Sequence, residues 1–349
     1  MSRARAAAGL VLATGILACD VDAARADVTI QEHIVVEGSG LMSMAGMSGT
    51  STTSISGKRA RIENDMRMQS GFARVLVRGA GQNSEIVQLD ADTIYELDMK
   101  KKRYRRSSLA ARRDQLAKSI EQTGQAQRAN PIAFDDSQCD WLEPKATVLR
   151  TGAKATIAGL NAEPLGVVVR QSCRDRRSGE VCDIALSVEE WVASGSAGGR
   201  EALQFRTAYA QQMGISNQGR EVVGRAEAMF GRYRQAWSLV ANELRDVKGF
   251  PVRTNISFGL GGASCKSAAG RASGAGGASA LSPGALTGRL AGLFGRKKSS
   301  EQAPATAAPA GLSDMTVPLR LTSELISIGG EHLGADTFEV PAGFKNVTQ

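Results

Sequence analysis

Arg59-Ala-Arg-Ile-Glu-Asn-Asp-Met-Arg-Met68 alternates without a break. Ala60, Ile62, Asn64, Met66 and Met68 fall on one side of the chain, and Arg59, Arg61, Glu63, Asp65 and Arg67 on the other. A period of two belongs to a β-strand with one wet face. The β-rich stretch Thr50–Ser56 precedes it, joined through Gly57-Lys58, and Val28–Glu37 reads as a strand before that. Downstream, Ala73–Val77, Glu85–Leu89, Thr93–Asp98 and Lys101–Ser107 continue a meander, with Asp90-Ala91-Asp92 as a tight turn.

Beyond the meander the pattern changes twice. Ser108–Arg128 reads as a helix with Leu109, Leu116 and Ile120 on one side. Strands return at Lys145–Arg150, Ala153–Ala158, Glu163–Cys173 and Val181–Val192. Two helices follow: Gly199–Met213, and Gln218–Val247, whose apolar residues recur every three or four positions and demand burial. Gly249 and Pro251 end the second. Phe250–Gly259 and Met315–Ile328 are strands that could pair as a hairpin, and Thr337–Phe344 closes the chain. Between them, Gly, Ala, Ser and Pro dominate, a composition that buries too little to offset its ordering entropy. Residues 27–265 and 312–349 therefore read as one domain, with 266–311 a disordered insertion. Strands first, then helices, then strands again indicate α+β rather than a parallel βαβ sheet.

The chain carries 43 Lys and Arg against 35 Asp and Glu, a net +8. Its first 26 residues have a basic start (Arg3, Arg5), an apolar run from Ala6 to Ala18, and Ala24-Arg25-Ala26 before Asp27. That is the layout of a secretory signal peptide, which implies export to the periplasm. Ile16-Leu17-Ala18-Cys19 offers an alternative, lipidation at Cys19 and anchoring in the envelope. No other run is apolar enough to cross a membrane.

Four cysteines remain after residue 26: Cys139, Cys173, Cys182 and Cys265. An even number in an exported chain suggests two disulfides. A hairpin turning at Ser178-Gly179 sets Cys173 opposite Cys182, so that pair is expected, with Cys139–Cys265 following by elimination. Zinc is disfavoured, because there is no C-x-x-C and the two histidines, His33 and His332, are far apart in sequence. The residues call for no metal and no cofactor.

Nucleophile elbows, zinc-protease motifs and phosphate loops are missing from the sequence. Two clusters remain. Met42, Met44 and Met47 form a loop or hairpin packing on apolar surface, a contact for a hydrophobic ligand, or a soft site for Cu(I). Lys100, Lys101, Lys102, Arg103, Arg105, Arg106, Arg112 and Arg113 lie together with no acid among them. They suit the wet side of a strand and a helix start, an anionic lipid headgroup, or an acidic partner face. Nucleic acid is disfavoured, since export removes it and only Tyr104 interleaves as a stacking platform.

Several segments in order resemble an exported bacterial family of unknown function related to the outer-membrane lipoprotein carriers and receptors. They are Ser56–Arg61, Asp92–Tyr104, Ala158–Glu163, Lys248–Val252 and Phe338–Phe344. The resemblance implies a strongly curved, unclosed antiparallel β-barrel, with helices covering its mouth around an apolar cavity. It brings no catalytic residues. On this reading the protein is a periplasmic, non-enzymatic binding protein for a lipid-like or acyl ligand or an envelope partner. Met229, Phe230, Tyr233, Trp237 and Val240 of the long helix line the cavity or, alternatively, pack an ordinary core. The alternative function is a structural or interaction module of the envelope without a ligand, which a filled interior would favour. An enzyme would require a buried polar cluster in the barrel mouth.

Overall fold

The alternating run becomes strand β3 (Arg59–Met68), paired antiparallel on both sides. One neighbour is β2 (Met47–Ser56) and the other β4 (Gln82–Gln88). The computed structural model describes residues 27–39, 46–68, 82–129, 139–196, 198–214, 234–262, 265 and 311–347. Its other strands are β1 (Val28–Gly38), β5 (Thr93–Asp98), β6 (Arg103–Ser107), β7 (Cys139–Trp141), β8 (Lys145–Leu149) and β9 (Ala155–Ile157). Then come β10 (Leu160–Asp175), β11 (Val181–Ala193), β12 (Phe250–Gly261), β13 (Thr316–Gly329) and β14 (Lys345–Asn346). Three helices are described: α1 (Leu109–Ala129), α2 (Gly199–Gln212) and α3 (Arg234–Leu244).

All strands join one sheet in the order β14-β6-β5-β4-β3-β2-β1-β13-β12-β11-β10-β7, with β8 and β9 also pairing to β10. Every pairing is antiparallel except the short β14–β6 contact. The sheet ends at β14 on one side and at the partners of β10 on the other, so it does not close. Sequence neighbours pair along most of it. The exceptions are β1, which lies between β2 and β13 and so joins the first strand to a late one, β14 on β6, and β7 and β8 on β10. The fold is α+β around an unclosed antiparallel sheet. The two strands flanking the insertion pair as β12 and β13.

Register divides the sheet into two faces, because successive side chains point opposite ways. Val28, Ile30, Ile55, Ala60, Ile62, Val87 and Ile94 share one face and form a buried cluster with Leu109 of α1 and Ala202 and Phe205 of α2. On the same face, Leu165, Val167 and Val169 of β10, Leu186 and Val188 of β11 and Ile256 of β12 pack against Ala236, Trp237, Val240 and Leu244 of α3. We call this the helix face. The back face has two smaller clusters. Phe338 packs with Ile86 and Leu97, and Leu312 with Val168 and Ala185.

Local chemistry sets the element ends. The Ser108 hydroxyl accepts the Ala111 N–H at 3.0 Å, capping α1. Gly249 has φ +112, and a Cβ there would sit 2.6 Å from the Ala193 carbonyl, so only glycine carries the chain from α3 into β12.

The cysteine pairing corrects an expectation, and two further features go beyond what the sequence showed. In the closing segment, Ala335–Phe338 is a 3-10 turn and the residues up to Phe344 are irregular. Pro341 lacks the N–H a central ladder needs. Strand β7 was too short to be legible. The cysteines pair as Cys139–Cys173 and Cys182–Cys265, with Cα separations of 5.3 and 5.0 Å, not as Cys173–Cys182 and Cys139–Cys265. Cys173 and Cys182 do face each other across β10 and β11. However, β7 brings Cys139 alongside Cys173, and the chain beyond β12 brings Cys265 beside Cys182, so each has a partner on its outer side. Two disulfides fit folding in an oxidising, exported environment. None of the described helices is long and apolar enough to cross a membrane.

Residues 1–26 with Cys19, the insertion up to 310, Ala73–Val77 and 215–233 lie outside the described residues.

A candidate binding face and an adjoining cationic cleft

The helix face is not apolar throughout. Toward the end of the sheet formed by the start of β2 and the finish of β3, two cross-strand rows carry half-buried apolar side chains. In one, Leu321 of β13 opposes Val36 of β1, Val36 opposes Met47 of β2, and Met47 opposes Met68 of β3. In the next, Ile34 opposes Gly49 and Gly49 opposes Met66. Gly49 is required there: a Cβ would meet the Asp65 carbonyl oxygen at 2.0 Å, so β2 and β3 approach closely only with glycine. Ile34, Val36, Met47, Met66, Met68 and Leu321 all keep part of their surface exposed.

A polar band separates these rows from the cluster under α1 and α2, while Leu321 packs directly against the cluster under α3. Glu32, Ser51, Asn64 and Asn83 oppose one another in turn across β1 to β4. Glu32 is held by Arg206 of α2 at 2.8 Å, with the two side chains 13% and 6% exposed, and the guanidinium lies 5.4 Å from the Phe250 ring centroid. On the β13 side, Ser323, Thr254 and Glu190 oppose one another and are buried. This is a buried polar cluster of the kind an enzyme needs, but neither histidine joins it. His33 is exposed in the register of the back face, and His332 lies in the loop after β13.

At the same strand ends as the apolar rows, β4, β5, β6 and the start of α1 enclose an open cleft of about 670 Å³. Its charges are locally organised. Arg112 of α1 reaches Glu96 at 2.5 Å and Glu85 at 3.3 Å, and Arg105 meets Glu96 at 3.1 Å. Lys101 lies 3.6 Å from Asp98 and its backbone N–H donates to that carboxylate at 3.0 Å, which holds Asp98 below the usual carboxylate range. The basic run seen in the sequence thus lines this cleft in part, and continues along β6 and α1.

Of the five residues of the long helix, Trp237 and Val240 are buried among β10, β11 and β12, while Met229, Phe230 and Tyr233 lie outside the described residues. Beside Trp237 the remaining space is about 10 Å³, room for about one water molecule and not for an alkyl chain. Met47 is the described member of the methionine cluster and opposes Met68 of β3, while Met42 and Met44 lie outside the described residues. No group of three or more His, Cys, Asp or Glu with metal-site geometry occurs among the described residues. Sequence reading missed Ile34, Val36 and Leu321 as site residues. The signal was present in the alternation Val28, Ile30, Glu32, Ile34, Val36, where one carboxylate interrupts an apolar series.

No protein-family model matches the chain, and no curated protein matches its sequence.

Proposed function

We propose that this is a periplasmic, non-enzymatic binding protein that holds a lipid-like or acyl chain on the helix face. The sheet then acts as a curved half-barrel with α1, α2 and α3 over its mouth, as in the lipoprotein carriers and receptors that the sequence resembles. The observation that carries the reading is the pair of half-buried rows, Leu321–Val36–Met47–Met68 and Ile34–Gly49–Met66. They are apolar, flexible where methionine contributes, and lie outside the helix-packed clusters except at Leu321, which packs against the α3 cluster. Methionine suits a surface that accepts chains of varied shape. Export is supported by the two disulfides.

Lipid extraction from the purified native protein, followed by mass spectrometry, and binding of a fluorescent acyl probe test the reading. Bound lipid and saturable probe binding are expected, and the double substitution V36D/M68D should weaken probe binding at least tenfold while the protein stays folded by circular dichroism. No lipid and no probe binding would overturn it in favour of an envelope interaction module without a ligand. The filled space beside Trp237 is the observation on that side.

A further inference from the structure

The ligand chain needs an end, and the structure holds a place for one. The cleft at the ends of β4 to β6 is lined by five cations, Lys100, Lys101, Arg103, Arg105 and Arg112, and by three acids, Glu85, Glu96 and Asp98. The acids are spent on three of the cations: Arg112 takes Glu85 and Glu96, Arg105 shares Glu96, and Lys101 takes Asp98. Lys100 and Arg103 have no ion-pair partner among the described residues, and both are exposed. Arg103 opposes Asp98 in the β5–β6 ladder and Arg105 opposes Glu96, so both arginines share the face that Arg112 covers. That is the helix face, because Glu85, which Arg112 also reaches, opposes Ile62 of its core.

The cleft is continuous with the apolar rows. Asn83 lines it and also ends the polar band, opposing Asn64, which lies two residues along β3 from Met66. Moving along one face, a molecule therefore meets thioethers and branched aliphatics, then neutral amides, then a charged cleft in which five cations face three acids.

We propose that this cleft is a head-group site and that the ligand is a single-chain or multi-chain amphiphile whose head is anionic, a phosphate or carboxylate, with Lys100 and Arg103 as its principal contacts. The proposal rests on the acyl-ligand reading above and adds the sign of the head. A guanidinium presents paired N–H donors that fit either oxyanion, and an ammonium adds a mobile point charge. An alkylammonium head meets repulsion in the same place.

The test uses the full exported chain, oxidised, with three probes below their micelle concentrations: dodecyl phosphate, dodecyltrimethylammonium and inorganic phosphate. Dodecyl phosphate is expected to bind at least tenfold tighter than dodecyltrimethylammonium and at least a hundredfold tighter than inorganic phosphate. K100E/R103E, two exposed positions, should bring the two chain probes to within about twofold of each other without lowering the thermal midpoint by more than a few degrees. Equal binding of both chain probes to the unmodified protein, or an unchanged ratio in K100E/R103E, overturns the head-group site and leaves the acyl-ligand reading standing. Inorganic phosphate binding as tightly as dodecyl phosphate assigns the cleft to a free anion and also overturns it. Failure of both chain probes overturns the two proposals together.

Discussion

Cys173 on β10 and Cys182 on β11 stand directly opposite each other and are not bonded to each other. Each is instead tied outward, Cys173 to Cys139 and Cys182 to Cys265. All four are buried. Opposed residues in an antiparallel pair have Cα atoms about 4.5–5.5 Å apart, within disulfide range. The observed pairing is thus one of two that the same strands permit. Removing the outer partners in C139S/C265S is expected to let Cys173 and Cys182 oxidise together. Non-reducing peptide mapping should find that cross-link, and two free thiols would sink the argument. The unmodified protein should yield only the two outer links. They close sequence separations of 34 and 83 residues, each contributing about 4 kcal/mol in the chain-entropy account, whereas the substitute link closes a much shorter loop.

The Arg206–Glu32 pair joins α2 to the first strand inside the protein. Removing one partner leaves the other charge buried, which costs about 3–5 kcal/mol, whereas removing both is far milder. R206L and E32L should each lower the unfolding free energy measured in urea by that order, and R206L/E32L by much less than the sum. A double variant as unstable as the two single losses combined would show that the pair is not coupled.

Burial alone pushes the Asp27 carboxyl up, but it is outweighed. Hydrogen bonds from the Ser56 hydroxyl and from the Leu333 N–H, the latter at 2.7 Å, and the charges of His332 and Arg59 hold it below the ordinary range. A carboxylate whose folded value is depressed adds stability that is present above its unfolded value and disappears as pH falls through the folded one. The contribution is complete by about pH 5 and fades below about pH 4. D27N should therefore be less stable than the unmodified protein at pH 7, and the difference should shrink steadily toward pH 3. A difference independent of pH between 3 and 7 would refute the assignment.

Phe338 is 1% exposed and fixes the C-terminal tail to the back of β4 and β5, against Ile86 and Leu97. Arg59 lies over its ring at 5.2 Å, and its carbonyl accepts from the Gln88 amide at 3.1 Å. F338A should cost about 3–5 kcal/mol in denaturant unfolding, the range for a buried phenylalanine. A loss under 1 kcal/mol would mean that the tail is dispensable.

Much of the sheet was legible because alternation is a local signal. Arg59–Met68 pairs over its whole length, and Thr93–Asp98 has its expected bounds. What was not legible depends on partners distant in sequence. Strand β7 is three residues long and is defined by its pairing with β10, not by any pattern of its own. The cysteine pairing turned on that same strand. The anchoring role of Phe338 was not legible because its burial comes from Ile86 and Leu97 on the back face of β4 and β5, far earlier in the chain. For the candidate site, the methionine loop and the basic run both stood out in the sequence. The row that joins Met47 to Val36 and Leu321 did not, since it requires β1 to lie between β2 and β13.

The segment between β12 and β13 leaves and re-enters the sheet at two secured points. On departure, Cys265 is bonded to Cys182 of β11. On return, the Asp314 carboxylate takes both arms of the Arg170 guanidinium, at 2.9 and 2.6 Å, and the Gly311 carbonyl accepts from the same arginine at 2.6 Å. Both moorings are on β10 and β11, the strands with the longest mutual ladder. A pull on the chain between these points therefore meets a covalent bond on one side and a two-armed ion pair on the other before it reaches the β12–β13 ladder. The two strands are berthed at their loose ends as well as zipped along their length.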